Sequence, residues 1–430
     1  MKFVFADSQD FVDPNFDFIL DRMNPDRELY WDDKYPHELM GKAPYDGMLV
    51  SKAIVGGTKI SGKYNGSQAM MFSRVGAREF LRYREADYPG SMMIGDCGAF
   101  SYHSMEIPPY SPEEMVDFYG DGAFSHGCSV DHVIFDFVSD DEASRMQSDR
   151  YENNKKRFEI TSSNAEAFLK ESKRLSNHFT PLGVIQGWSP SSMGQAALRL
   201  KKMGYDYLAV GGMVPLDARQ IKMALQGIRE SVGNEIRLHI LGFAKAEQLG
   251  EFAPYNITSF DSTSPLIRAF KDTNRNYYVK TEKGIDYYSA IRIPQATENR
   301  TLKTLAQEGK FSQEDFLQRE RIALDTIRAF DNGEAEVEET LSSLMNYSGP
   351  LLIGKDEFLT EKDIKKRNRL EESYRRTLET KPWKKCSCAI CSKIGVEVII
   401  FRGSNRNRRR GFHNLEIYHQ HVKLMSDRDD

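Results

Sequence analysis

Cysteine is scarce in this chain, at five residues in 430, and the scarcity excludes a disulfide framework. Secreted scaffolds stapled by bridges carry many cysteines in a short chain. Here Cys97 and Cys128 stand alone, while the other three fall within six residues. Long hydrophobic runs are missing too: none approaches the roughly 20 apolar residues that span a bilayer. The opening Met-Lys-Phe-Val-Phe-Ala is broken by Asp7 too early for a signal peptide, so the expected location is the cytoplasm. No Gly-rich fingerprint of a dinucleotide or triphosphate site is visible. What the chain does have is 40% hydrophobic residues, with 25 Phe and 20 Tyr, enough for a substantial core. Its length suits a large domain with an addition, or an α/β barrel with insertions.

A net charge of -4 hides an asymmetry. Residues 361–430 hold 18 Lys/Arg against 10 Asp/Glu, whereas residues 1–360 hold 41 against 53. An acidic body with a basic end suggests that the end meets a polyanion. The densest cluster is Arg402, Arg406, Arg408, Arg409 and Arg410, interleaved with Asn405 and Asn407. Arginine forks suit phosphate, so these five are expected to bind nucleic acid.

Short apolar or β-branched runs recur at 48–55, 92–96, 132–136, 182–186, 207–211, 238–242, 257–261 and 396–401, each ending in Gly, Asp or a polar turn. Helix-like stretches separate most of them, at 112–119, 164–176, 193–203 and 217–232. Alternation of this kind predicts right-handed βαβ units and a parallel sheet, and eight runs predict a (β/α)8 TIM barrel. Lys2–Ala6 is an alternative first strand. Residues 268–383 are polar and helix-favouring, which reads as a mostly helical insertion between the main part of the barrel (1–267) and a terminal segment (384–430).

That terminal segment contains Cys386-Ser-Cys388-Ala-Ile-Cys391 and then Gly-Phe-His413-Asn. Three thiolates and an imidazole make a complete tetrahedral set for one structural Zn2+, with His413 preferred over His419 and His421. Leu415, Tyr418, Val422 and Met425 follow at helical spacing, as in a last helix packed on the barrel.

Catalytic groups of a TIM barrel sit at the C-terminal ends of its strands. Asp96, Asp136 and Asp261 occupy such positions, together with Gln186-Gly187 and Gly211-Gly212, and Phe100 stands four residues after Asp96. A single Asp at a strand end is often only a cap or turn. As a group they describe a pocket in which paired carboxylates serve glycosyl chemistry, while a carboxamide, backbone groups and an aromatic face bind a purine-like base.

On these residues the sequence resembles the tRNA-guanine transglycosylase family, over roughly residues 45–270 and 384–426. Asp96-Cys-Gly-Ala-Phe100-Ser is similar to the family's Asp-Ser-Gly-Gly-aromatic-Gln loop. The resemblance makes Asp96 the general base and Phe100 the stacking ring. Phe135-Asp136, Gln186-Gly187 and Gly211-Gly212 resemble its base-binding positions. Phe260-Asp261 resembles its Phe-Asp nucleophile, and Cys386, Cys388, Cys391 and His413 its zinc site. Cys97, Ala99 and Ser101 depart from the family loop, and Asp261 is not followed by the expected arginine-bearing loop. Arg268 ends that stretch and is counted among the nucleic-acid-binding candidates. The opening segment, with Tyr-Pro-His-Glu-Leu and Pro-Tyr-Asp-Gly, looks like the DpdA branch, which is associated with 7-deazaguanines in bacterial or phage DNA.

The resemblance implies a base exchange on DNA. Asp261 attacks C1′ of a deoxyguanosine, guanine leaves, and a 7-deazaguanine such as 7-cyano-7-deazaguanine (preQ0) takes its place. Extruding the guanine costs a few kcal/mol, which suggests a deformed or single-stranded substrate, or accessory proteins that open the duplex. The same chemistry on tRNA is the alternative reading. A non-catalytic, zinc-dependent nucleic-acid-binding module is a third.

Overall fold

The computed structural model of the chain describes residues 1–426 apart from 244–245, 283, 310–311 and 354–359. Its short apolar runs become eight parallel strands that close into a barrel in chain order. They are β1 (Lys2–Ala6), β2 (Gly47–Ser51), β3 (Met92–Asp96), β4 (His126–Cys128), β5 (Thr180–Ile185), β6 (Tyr207–Val210), β7 (Arg237–Ile240) and β8 (Ser259–Asp261). Closure is visible at Val4, which lies opposite Gly47 of β2 and Asp261 of β8. Val4, Leu49, Ile94, Cys128, Leu182, Val184 and Ala209 form one buried cluster within it. Helices Pro112–Asp121, Pro190–Met203 and Ala218–Val232 start at capping boxes on Ser111, Ser189 and Asp217. Each cap satisfies backbone N–H groups that a helix start otherwise leaves unpaired.

The TIM barrel is therefore present, with two strands other than those expected. The predicted strand over 396–401 is a 3-10 turn, Gly395–Ile399, followed by Ile400–Phe401 paired with Ile291–Arg292 outside the barrel. Lys2–Ala6 supplies the missing strand. The run at 132–136 is a loop beyond the three-residue β4. It is apolar because Val133 and Ile134 are buried, and side chains satisfy its backbone in place of a ladder. Thr161 Oγ1 accepts from the His132 amide, Arg157 donates to the Val133 carbonyl, and Gln186 Oε1 accepts from the Ile134 amide.

The chain divides into two compact units. One contains the barrel: Met1–Asp10, Tyr45–Thr263 and the residues from Val422 on. The other is Phe11–Pro44 with Ser264–His421, so the helical segment and the cysteine cluster share a unit that also takes in residues 11–44. It holds an antiparallel strand pair, Tyr277–Thr281 with Gly284–Tyr288, and helices Gln313–Asn332, Val337–Ile353 and Glu361–Thr380.

The arginine cluster is the main correction. Arg402, Arg406, Arg409 and Arg410 are at most 6% exposed and are committed inside the second unit. Arg402 binds Asp21 (2.5 Å), Glu320 (2.7 Å) and the Ile293 carbonyl. Arg406 binds Glu397 (2.7 Å), Asp21 and the Phe18 carbonyl. Arg409 donates to Asn405 and to the Asp13 carbonyl. Among the described residues Arg410 has only neutral acceptors, Asn407 and the Ala269, Val398 and Ile400 carbonyls, and burial pushes its pKa down to about 9. Half-buried Arg408 donates to the Phe11 carbonyl. Five arginines in sequence look like a phosphate surface, but their forks are equally suited to internal carboxylates and carbonyls. Truncating Arg402 strips the buried Glu320 of its arginine, which costs about 3–5 kcal/mol, whereas Asp21 and Glu397 are each shared between two arginines.

Candidate active site and metal centre

Asp96 is the last residue of β3, and one of its oxygens, Oδ2, accepts from Ser51 Oγ and from the Gly98 amide, both at 3.1 Å. Gly98 turns the chain there with φ +80°, and a Cβ on it would lie 2.5 Å from Ala53 Cβ. Burial raises the Asp96 pKa, and the negative charge of Asp261 raises it further. Beyond β4, Asp131 is almost fully buried. Its Oδ2 accepts from Gln186 Nε2 at 2.6 Å and its Oδ1 from the Cys97 thiol at 3.2 Å. The Tyr102 hydroxyl lies 3.0 Å from both Cys97 Sγ and the Asp131 carbonyl oxygen. Burial first, and then the Asp96 charge, push Asp131 up to about 7. Donor atoms of Asp96, Cys97 and Asp131 all fall within 4.8 Å of one another. Two carboxyls this close do not both ionise readily, so the pair keeps a proton near neutral pH.

The carboxamide of Gln186 is held from both ends, by the Ile134 amide and by Asp131. It lies against the Gly211-Gly212 pair, where a Cβ on Gly211 would sit 2.3 Å from Gln186 Nε2. Gly212, at φ +76°, leaves 2.9 Å between such a Cβ and the Ile134 carbonyl. Those glycines make room for Gln186. Gly187 packs under the next helix, where a Cβ would meet the Met193 amide at 2.8 Å. Phe100, on the 3-10 turn Ala99–Tyr102, is 61% exposed, with its ring edge-on to Phe135 at 5.5 Å.

Asp261 ends β8. Both of its hydrogen bonds fall on Oδ1, from the Gly242 amide at 2.9 Å and His239 Nε2 at 3.3 Å. Oδ2 has no partner among the described residues. Behind it, His239 Nδ1 lies 2.6 Å from Ser259 Oγ, which lies 2.6 Å from the Tyr207 hydroxyl. If Nε2 carries the proton toward Asp261, Nδ1 must accept from Ser259 and Ser259 from Tyr207. That buried chain fixes the imidazole ring against the carboxylate.

Asp136 is engaged away from Gln186. Arg150 holds both of its oxygens, at 2.7 and 2.8 Å, and Asn154 donates to it at 2.9 Å. The Arg150 hydrogen bond pulls its pKa down. The carboxylate that faces Gln186 is Asp131, five residues earlier and just ahead of the run 132–136. His239 and the buried Asp7, whose carboxylate accepts from Tyr64 at 2.8 Å, were also missed. A histidine inside the apolar stretch 238–242 was the available signal for the first. Arg268 lies over the Tyr287 ring at 5.9 Å and hydrogen-bonds Tyr278 in the second unit.

No protein-family model matches the chain. Over 427 residues it is 38% identical to a protein named DNA-guanine transglycosylase from Salmonella montevideo, a match that takes in 98% of this chain and 97% of the relative. The chain belongs to the DNA-guanine transglycosylase family.

This member of the transglycosylase family also carries a cluster of four metal-binding side chains. Sγ of Cys386, Cys388 and Cys391 lie 3.6, 3.3 and 3.4 Å from His413 Nδ1. Zinc bonds of about 2.3 Å to sulfur and 2.0–2.1 Å to nitrogen, at tetrahedral angles, put ligands about 3.6 Å apart, so the cluster fits one such ion. The other ring nitrogen, Nε2, reaches the Tyr278 carbonyl at 2.8 Å, which leaves Nδ1 as the ligand atom. Tyr277 stacks on the His413 ring at 4.1 Å, and the Cys391 amide points at Cys388 Sγ.

Asp131 gives the family member a specific pH response. A carboxyl whose folded pKa is raised stabilises the fold fully below its unfolded pKa, about 4, and that contribution is lost as pH rises through about 7. Asp96 adds the same sign. Denaturant unfolding at pH 5 and pH 8 should therefore show Asp131→Asn gaining on the native protein at the higher pH, by up to about 1.4 kcal/mol per pH unit within that window. Parallel pH profiles would mean that Asp131 ionises normally.

Proposed function

We propose that the barrel exchanges guanine in DNA for a 7-deazaguanine, preQ0 being the expected base, through a glycosyl ester on Asp261. The observation that carries this is Asp261 itself: Oδ1 is pinned by Gly242 and His239 and Oδ2 has no partner among the described residues, while its charge raises the pKa of Asp96. Oδ2 attacks C1′ of deoxyguanosine as the C1′–N9 bond breaks. The bonding pair leaves on guanine, which takes a proton from the Asp96 carboxyl, whose pKa burial raises. The incoming base returns its N9 proton to Asp96 and attacks C1′. The ester bond breaks and its electrons return to Asp261, so two inversions retain configuration.

Asp131 and Gln186 are assigned to the edge of the base, with the Gly212 backbone beside them. A carboxyl near its pKa at neutral pH both donates and accepts, which suits the donor–acceptor edge of guanine and of its deaza analogue. Exposed Phe100 is assigned to stacking on the base. Zn2+ is assigned to the Cys386, Cys388, Cys391 and His413 cluster in a structural role, because four protein ligands leave no open position.

DNA as the substrate rests on the name of the Salmonella relative. The test is exchange of labelled guanine, offered side by side in duplex DNA, single-stranded DNA and tRNA. Incorporation is expected in DNA alone, and preQ0 is expected to chase the label out. Incorporation confined to tRNA would overturn the reading.

A further inference from the structure

Helix Glu361–Thr380 buries only Tyr374, Thr377 and Leu378, all in its C-terminal half. That half is docked on the strand pair. The Tyr374 hydroxyl accepts from the Arg292 amide, Thr377 donates to the Ser289 carbonyl, and Arg376 binds Asp286 and the Tyr287 carbonyl. The first three turns bury nothing, and even Ile364 is 45% exposed. Packing therefore does not explain why this part of the helix has the sequence it has.

Its cations, Lys362, Lys365, Lys366, Arg367 and Arg369, are exposed and go without ion pairs among the described residues, although Glu361, Glu371 and Glu372 lie on the same helix. Asp363, the one acidic residue between them, is spent on the cap with Thr360. Lys362 with Lys366, Lys365 with Arg369 and Lys366 with Arg369 are like charges three or four residues apart, which cost a helix about 0.2–0.5 kcal/mol per pair, a cost that an anionic partner relieves. Lys362, Lys366 and Arg369 share one stripe, spanning about 10 Å at 1.5 Å per residue, or about three phosphate steps of one DNA strand. The positive surface continues past the helix. Lys366 and Arg369 border a hollow of about 260 Å³ with Arg292 and Asn274. Arg369 also borders a neighbouring hollow of about 230 Å³, where Arg376 lies 4.2 Å over the Tyr288 ring.

We propose that the first three turns of this helix, with Arg292 at their edge, bind the phosphate backbone of DNA. The proposal rests on the reading that the barrel acts on DNA, and it moves backbone binding from the buried arginines at 402–410 to a surface that is free to do it. The test uses the full-length protein and a 30-bp duplex in a salt titration followed by fluorescence anisotropy. Combined replacement K362Q/K365Q/K366Q/R367Q/R369Q should make the log–log salt slope shallower by about two to four and weaken binding at 0.1 M salt about tenfold or more. K362Q/K366Q alone should give roughly half the slope change, and the charge-keeping K362R/K365R/K366R should retain the native slope. Metal content and unfolding midpoint should match the native protein throughout, since none of these side chains is buried. A folded five-site variant with the native slope and affinity overturns the surface while leaving the DNA reading intact, provided the native protein exchanges base in DNA. Native protein that acts on tRNA and does not bind the duplex overturns both.

Discussion

Asp261→Asn should abolish base exchange, with turnover falling about 10⁴-fold or more, because in the proposed mechanism this residue supplies the atom that bonds to C1′. The amide keeps the size of the carboxylate and an oxygen for the Gly242 and His239 donors, so the barrel should unfold at nearly the native midpoint. What disappears is the denaturant-stable protein–DNA adduct, which native enzyme should accumulate when incubated with DNA in the absence of an incoming base. Asp96→Asn gives the opposing pattern: the adduct still forms at a reduced rate but is not discharged, because the incoming base has no acceptor for its N9 proton. The comparison separates the two aspartates by role. An adduct that persists in Asp261→Asn and vanishes in Asp96→Asn would exchange the roles of nucleophile and base.

The barrel was legible in the sequence because each strand is a short apolar run closed by Gly, Asp or a polar turn, and that pattern survives whichever loops intervene. Its errors have a common cause. The run at 132–136 and the run at 396–401 are as apolar as true strands because they are as buried as true strands. What sets them apart is where their backbone groups find partners: side chains of Thr161, Arg157 and Gln186 in the first case, and a 3-10 turn in the second. No one-dimensional pattern records that. The misread loop then carried the site reading with it. Asp136 ends the apolar run and is held by Arg150, whereas the carboxylate bonded to Gln186 is Asp131, just ahead of the run. The arginines failed for a related reason. Of the carboxylates that neutralise Arg402 and Arg406, Asp21 and Glu320 are distant in sequence and only Glu397 is near, so the local composition looked uncompensated. On helix Glu361–Thr380 the structure separates Arg375 and Arg376, which are paired, from five cations that make no ion pair among the described residues.

The four-ligand cluster was fully legible, since its spacing is dictated by the ligands, and its removal should produce the largest change in stability. Structural zinc contributes on the order of 10–16 kcal/mol to small metal-dependent folds, comparable to or larger than the roughly 5–15 kcal/mol by which a domain is stable at all. Several chain segments meet at this point. His413 is held through Nε2 by the Tyr278 carbonyl and by stacking on Tyr277, and Tyr277 reaches Cys391 Sγ with its hydroxyl at 3.2 Å. The next residue, Asn414, bonds the Tyr278 amide and the carbonyls of Pro265 and Asn276. Without the metal, three thiols and an imidazole are left packed together with no bonds to replace those to the ion. Cys388→Ser, or exhaustive chelation of the native protein, should therefore remove the metal and unfold the second unit well below the native midpoint. Trp383, buried at 2% exposure with its indole N–H on Asp331 at 2.7 Å, reports the event as a red shift in fluorescence. Returning zinc to the chelated protein should restore both the emission and exchange activity, whereas the Ser variant should not recover. A metal-free Cys388→Ser protein that keeps the native midpoint and emission but has lost exchange would assign the metal to catalysis instead of architecture.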